Sequence, residues 1–211
     1  MSKPILKPDR KYTFSDYFDL NNPPEEIVAE LGYLLRSEIL QLPTRAADEA
    51  VVAEMQAFYY DTLPHIALNS EIAKREFLVA PVLREVVRRT RTPLATDYPI
   101  EINNKLSGSL DYLLRAAHKL VVIGAKKSDL DKGFNQLAAE MIALDQYYEH
   151  DDPAAELYGA VTVGELWRFA VLRRPDKLLL RDLGAYRVPE DLNDLLSILF
   201  GILQPAAVES P

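Results

Sequence analysis

Asp111 and Lys126 stand on two neighbouring apolar runs. These are Ser109-Leu110-Asp111-Tyr112-Leu113-Leu114 and Leu120-Val121-Val122-Ile123-Gly124-Ala125-Lys126-Lys127. Read as strands, the second run puts residues 124 and 126 on one face, because side chains alternate along a strand. Asp111 on the neighbouring strand can face the same way, with Ser109 and Ser107 behind it. Carboxylates hold hard divalent cations. A cation beside the attacking water and a phosphate stabilises the charge that develops as the ester breaks. An aspartate on one strand and acid-x-lysine on the next supply the parts for phosphodiester cleavage. Here the acid position is Gly124.

A further carboxylate comes from the helix expected after Ser70. Its apolar positions are Ile72, Val79, Ala80, Leu83, Val86 and Val87. Glu76 falls four residues after Ile72 and four before Ala80, inside that stripe. A carboxylate on a core-facing stripe is costly unless it is paired or binds a metal; a glutamate at the stripe's edge reaches solvent instead. Pro81 lies mid-pattern and is expected to kink or restart the helix.

The elements that position these residues follow from periodicity. Residues 1–21 read as an extended arm whose Tyr12, Phe14, Tyr17 and Phe18 cover the first helices. Asn22-Pro23-Pro24-Glu25 is a helix start, and Ile27, Leu31, Leu34, Leu35 and Ile39 give helical spacing. A second helix is expected from about Arg45 to Thr62, and the Ser70 helix is the third. Thr96 to Asn103 alternates as a strand. Leu106–Arg115 and Lys119–Lys126 complete a meander. Ser128 caps a long helix to about Tyr148. Leu157–Thr162 is a strand, Leu166–Leu172 and Leu178–Asp182 form a hairpin around Arg174-Pro175-Asp176, and Pro189 opens a last helix to Leu203. Strands interleaved with helices predict an α/β chain with a central mixed sheet flanked by helices.

The 211 residues are enough for one domain with a full core. There is no cysteine, which excludes disulfides, thiol catalysis and thiolate metal sites. The first twenty residues lack the basic start and apolar core of a signal peptide, and no apolar run near the motif spans a bilayer. The expectation is therefore a cytoplasmic protein without a membrane partner. The net charge of −8 opposes broad, nonspecific nucleic-acid binding. Residues 74–132, however, carry 12 Lys/Arg against 7 Asp/Glu, net +5, while both flanking thirds are acidic. That basic third holds the motif. It reads either as a solvated helix face or as a phosphate-facing surface.

The ordered set Asp111, then Ile123-Gly124-Ala125-Lys126-Lys127, then Gly133-Phe134-Asn135-Gln136-Leu137, resembles the PD-(D/E)XK, or restriction-endonuclease-like, superfamily. Glu71–Leu83 resembles that family's first helix, and Tyr158-Gly159-Ala160-Val161-Thr162-Val163-Gly164-Glu165-Leu166-Trp167-Arg168-Phe169 matches a further run. The likeness covers roughly residues 70–203. It implies a restriction-endonuclease-like core over 70–204, an N-terminal arm and helical extension over 1–69, and a loose tail over 205–211. It implies catalytic roles for Asp111, Lys126 and Gln136, and metal ligation by Asp111 and Glu76. The implied cofactor is Mg²⁺ if the protein is active, and the implied partner is DNA. A homodimer is a base-rate expectation.

Members of that family usually carry glutamate where this chain has Gly124. This leaves three readings. The centre is dead and the protein binds DNA or serves structurally; the missing acid comes from Glu140, four residues after Gln136 on the same helix side; or Glu76 and Asp111 alone hold one weakly bound ion. The first is the reading adopted, with an active Mg²⁺-dependent endonuclease using a substitute acid as its alternative.

Overall fold

The computed structural model describes residues 4–116, 120–125, 129–148 and 155–204. Lys126, Lys127, Ser128 and the tail after Gln204 lie outside the described residues. Among the described residues one mixed sheet has eight strands: β1 (Leu34–Glu38), β2 (Leu94–Glu101), β3 (Ser107–Arg115), β4 (Leu120–Ala125), β5 (Glu156–Thr162), β6 (Leu166–Arg173), β7 (Leu178–Asp182) and the short β8 (Tyr186–Arg187). Their order across the sheet is β1-β7-β6-β5-β4-β3-β2, with β8 beside β6. The β2–β3–β4 meander and the β5–β6–β7 run are antiparallel. The β4–β5 and β1–β7 pairs are parallel.

Alternation along β7 shows how the sheet divides the core: Leu178 and Leu180 belong to one apolar cluster and Leu179 to the other. On the first face lie α3 (Glu49–Thr62), α5 (Ala80–Thr90) and α7 (Leu192–Leu203), packed on Tyr112, Tyr158, Trp167 and Phe169. On the second lies α6 (Leu130–Tyr147), with α1 (Phe14–Phe18) and α2 (Pro24–Glu30) against it. The result is an α/β architecture with helices on both faces of a mixed sheet.

Two regions differ from the sequence expectation. The helix expected through Ile39 ends at Glu30. Gly32, at φ +87°, turns the chain in a conformation that L side chains rarely adopt, and Leu34–Glu38 become an edge strand on β7. Leu31, Leu34 and Leu35 satisfy a helical spacing, but in the strand Leu34 is left exposed while Leu35 packs on the core, beside Leu179 in register. The next helix starts at Glu49 rather than Arg45, because the Asp48 carboxylate accepts the Ala50 N–H and caps it.

The N-terminal arm also differs. It is not wholly extended: residues 14–18 form a helical turn, and Tyr12, Phe14 and Tyr17 are buried against α6 and β3 rather than over the first helices. Tyr12 N–H bonds the Asn104 carbonyl, and the Tyr17 hydroxyl donates to Lys105 O. Gly108 accommodates this contact. Its φ is +140°, and a Cβ there would lie 2.9 Å from the Phe14 ring. Residues 4–69 thus supply one strand of the sheet and part of the core on both of its faces.

Candidate functional site

β3 and β4 separate at the residues singled out by the sequence. Their ladder runs from Arg115↔Leu120 to Tyr112↔Ile123. Beyond it, the first half of β3 stays with β2 as far as Ser107↔Glu101, and the end of β4 stays with β5 as far as Ala125↔Thr162. Asp111 and Gly124 are the next positions in the β3–β4 register and stand outside that ladder, so among the described residues the sheet forks there. Across the other edge of β3, Asp97 faces Asp111 between the pairs Thr96↔Tyr112 and Tyr98↔Leu110. Asp97 has φ +50°, an uncommon backbone conformation for a non-glycine residue.

Two aspartates opposite one another repel, and a cation approaches them. Arg75 stacks its guanidinium 5.2 Å from the Tyr112 ring centre, and its Nε donates to the Tyr112 hydroxyl at 3.4 Å. Burial alone would lower the Arg75 pKa. The Tyr112 hydroxyl and the charges of Asp111 and Asp97 outweigh it and raise the group above its ordinary value. Asp111 is half-buried.

The segment carrying Arg75 has unusual geometry. Ser70 caps α4 (Glu71–Lys74), its hydroxyl accepting the Ala73 N–H. Residues 75–79 then form a π turn, and Pro81 sits in the first turn of the restarted helix α5. The extra residue of a π turn rotates the face of α4 relative to that of α5. The buried stripe is therefore Leu78, Val79, Val82, Leu83 and Val86, while Ile72, Glu76 and Ala80 face outward. Of the two placements expected for Glu76, the solvent-facing one holds: it is exposed and lines an open hollow of about 240 Å³ with Ile72, Arg75, Ala80 and Tyr112. The β5–β6 turn holds this segment down. At Gly164, φ +94°, a Cβ would lie 2.8 Å from the Leu78 side chain and 3.2 Å from Lys74.

Gln136 and Glu140 occupy the other face. Both are fully buried on α6, which packs against β4 and β5, and the Gln136 Nε2 donates to the Glu140 Oε1 at 2.7 Å. Glu76 and the Gln136–Glu140 pair therefore lie on different faces of the sheet. Glu76 borders Arg75 and Tyr112 on the α5 face, whereas Gln136 and Glu140 bond each other on the α6 face. Among the described residues no group of three or more His, Asp or Glu comes together to hold a metal ion. Ser107, expected behind Asp111, instead donates to the Tyr12 carbonyl at 2.9 Å and ties down the N-terminal arm.

Sequence reasoning missed Arg75 and Asp97. Asp97 lay on the polar face of an alternating strand, which was the available signal for a partner of Asp111. Arg75 had no such signal, since only the π turn brings it onto Tyr112. The basic third is also partly spent internally: Arg88 and Arg89 both bond Glu85, and Arg89 reaches Asp48. Trp167 is fully buried in the core, as its strand spacing predicts.

Among the described residues no helix is long and apolar enough to cross a membrane. Comparison with protein-family models and with curated proteins gives no match in either case.

Proposed function

We propose that this chain is a DNA-binding protein built on a restriction-endonuclease-like frame whose cutting centre is incomplete. The observation that carries this reading is the fork of the sheet at Asp111 and Gly124. A fork between two strands exposes backbone and side chains from both to a ligand at one point, and the acidic residue that would complete a cation site there is a glycine. Mg²⁺ is the cofactor the sequence resemblance implies, but the described residues do not bring three suitable ligands together. No step through a metal ion is therefore assigned.

Arg75 is the residue we assign to phosphate. Its guanidinium lies beside the fork and is held by Tyr112, and arginine presents a planar set of donors suited to phosphate oxygens. The acidic whole chain limits nonspecific attraction, so the affinity rests on a few such contacts. The alternative of an active endonuclease draws on one observation: Glu140 is a carboxylate buried on the helix that packs against the Gly124 strand.

Fluorescence anisotropy with a labelled duplex and a labelled single strand tests the binding reading. Arg75→Ala should weaken binding, and the slope of log K against log salt should fall by about one phosphate contact. Equal binding by wild type and Arg75→Ala, or no binding at low salt, would refute the assignment.

A further inference from the structure

The outer edge of β1 carries a self-complementary pattern. Among the described residues β1 is the last strand of the sheet on its side, paired with β7 alone. Leu34 N–H bonds Lys177 O, and Leu183 N–H bonds Glu38 O. In a parallel ladder both backbone groups of one residue serve the same neighbour, so Leu34, Arg36 and Glu38 point their backbone groups at β7. Leu35, Ser37 and Ile39 consequently point theirs away from the sheet. Residues 36–39 are exposed, and Ile39, Leu34 and Leu183 are large apolar side chains left in solvent. Arg36 and Glu38 make no ion pair among the described residues.

We propose that this edge pairs with the same edge of a second copy of the chain, antiparallel and centred on Ser37. The twofold then lies at Ser37, whose outward N–H and C=O are exchanged with those of its counterpart. Leu35 falls opposite Ile39 of the other copy, and Arg36 opposite Glu38, each twice. All outward backbone groups from 35 to 39 are satisfied, apolar meets apolar, and each cation meets a carboxylate. A twofold centred on Arg36 or Glu38 would put like charges face to face. Centring on Leu35 or Ile39 would leave the two charges without each other. Only the Ser37 register uses every residue of the edge, which joins the two sheets into one continuous sheet. An exposed strand edge is otherwise a template for uncontrolled pairing, and this register closes it.

Sedimentation velocity on the full chain over a concentration series reaching on the order of 0.1 mM tests this. The wild type should show a species of twice 23.8 kDa that grows with concentration. Arg36→Glu sets four carboxylates around the twofold and should leave only monomer across the same range. The double variant Arg36→Glu with Glu38→Arg restores both pairs in swapped order and should restore the dimer. Ser37→Pro removes an N–H that the β7 ladder does not use, so the fold should persist, checked by circular dichroism, while the dimer is lost. A wild-type mass of one chain throughout, a dimer that survives Arg36→Glu, or a double variant that stays monomeric would overturn the proposal.

Discussion

Replacing Phe14 by Ala tests whether the N-terminal arm is an integral part of the frame around the fork. Phe14 is 1 % exposed and lies against Gly108, in the half of β3 that pairs with β2 before Asp111. Its ring therefore supports the strand residues that lead into the fork at Asp111. Truncating a buried phenylalanine costs about 3–5 kcal/mol through lost transfer energy and the cavity left behind. For a chain of this length that corresponds to a fall in Tm of roughly 6–20 °C. Urea unfolding should show the midpoint falling with little change in slope. Amide exchange should accelerate at Ser107–Leu110 more than in β7, which lies far across the sheet. Phe58→Ala is the control: Phe58 is 42 % exposed, and its loss should cost under about 1 kcal/mol. A Phe14→Ala loss below about 1 kcal/mol, or exchange that rises evenly over the sheet, would refute the reasoning.

Two further outcomes are expected from named interactions. Asp145 is buried and accepts the Arg174 Nε at 2.6 Å and the Tyr33 hydroxyl at 2.7 Å. Asp145→Ala takes the carboxylate away from a buried guanidinium that keeps its bond to the Tyr148 carbonyl at 2.9 Å, so urea unfolding should show a loss of about 1–3 kcal/mol. Asp16 should contribute to the acid limb of stability. The Thr13 backbone N–H, against the opposing effect of burial and with help from the Thr13 hydroxyl and Arg10, holds its carboxyl below the ordinary aspartate value. A depressed folded-state pKa means that this stabilisation is complete above the unfolded-state value near 3.8 and is lost as pH falls through the lower folded one. Thermal melts of Asp16→Asn should therefore differ from wild type at pH 7 and converge with it in strong acid.

Much of the sheet was legible because it is written in local alternation. Leu178–Asp182 has the bounds its pattern predicts, and the β2–β3–β4 meander follows from polar and apolar faces within single runs. Leu34–Glu38 was not legible, since Leu31, Leu34 and Leu35 fit a helix locally and only pairing with a strand some 140 positions later decides otherwise. Gly32 was the one local hint. At the site, the neighbouring of the Asp111 and Gly124 strands was legible from the two alternating runs and their short link. The outward turn of Glu76 was legible only as one of two placements, because a π turn shifts the helical face in a way that spacing arithmetic at 3.6 residues per turn misses. The burial of Gln136 and Glu140 follows from α6 lying between the sheet on one side and α1 and α2 on the other, a packing of distant segments that no local pattern encodes.

The fork is proposed to bind DNA without cutting it. Incubating plasmid and single-stranded DNA with wild type, Gly124→Glu and Asp111→Ala, each with Mg²⁺ or Mn²⁺, tests it most directly. The account predicts bound but intact DNA for wild type, with cutting gained only when Gly124→Glu returns a carboxylate beside Asp111. Cutting by the wild type that Asp111→Ala abolishes would contradict it.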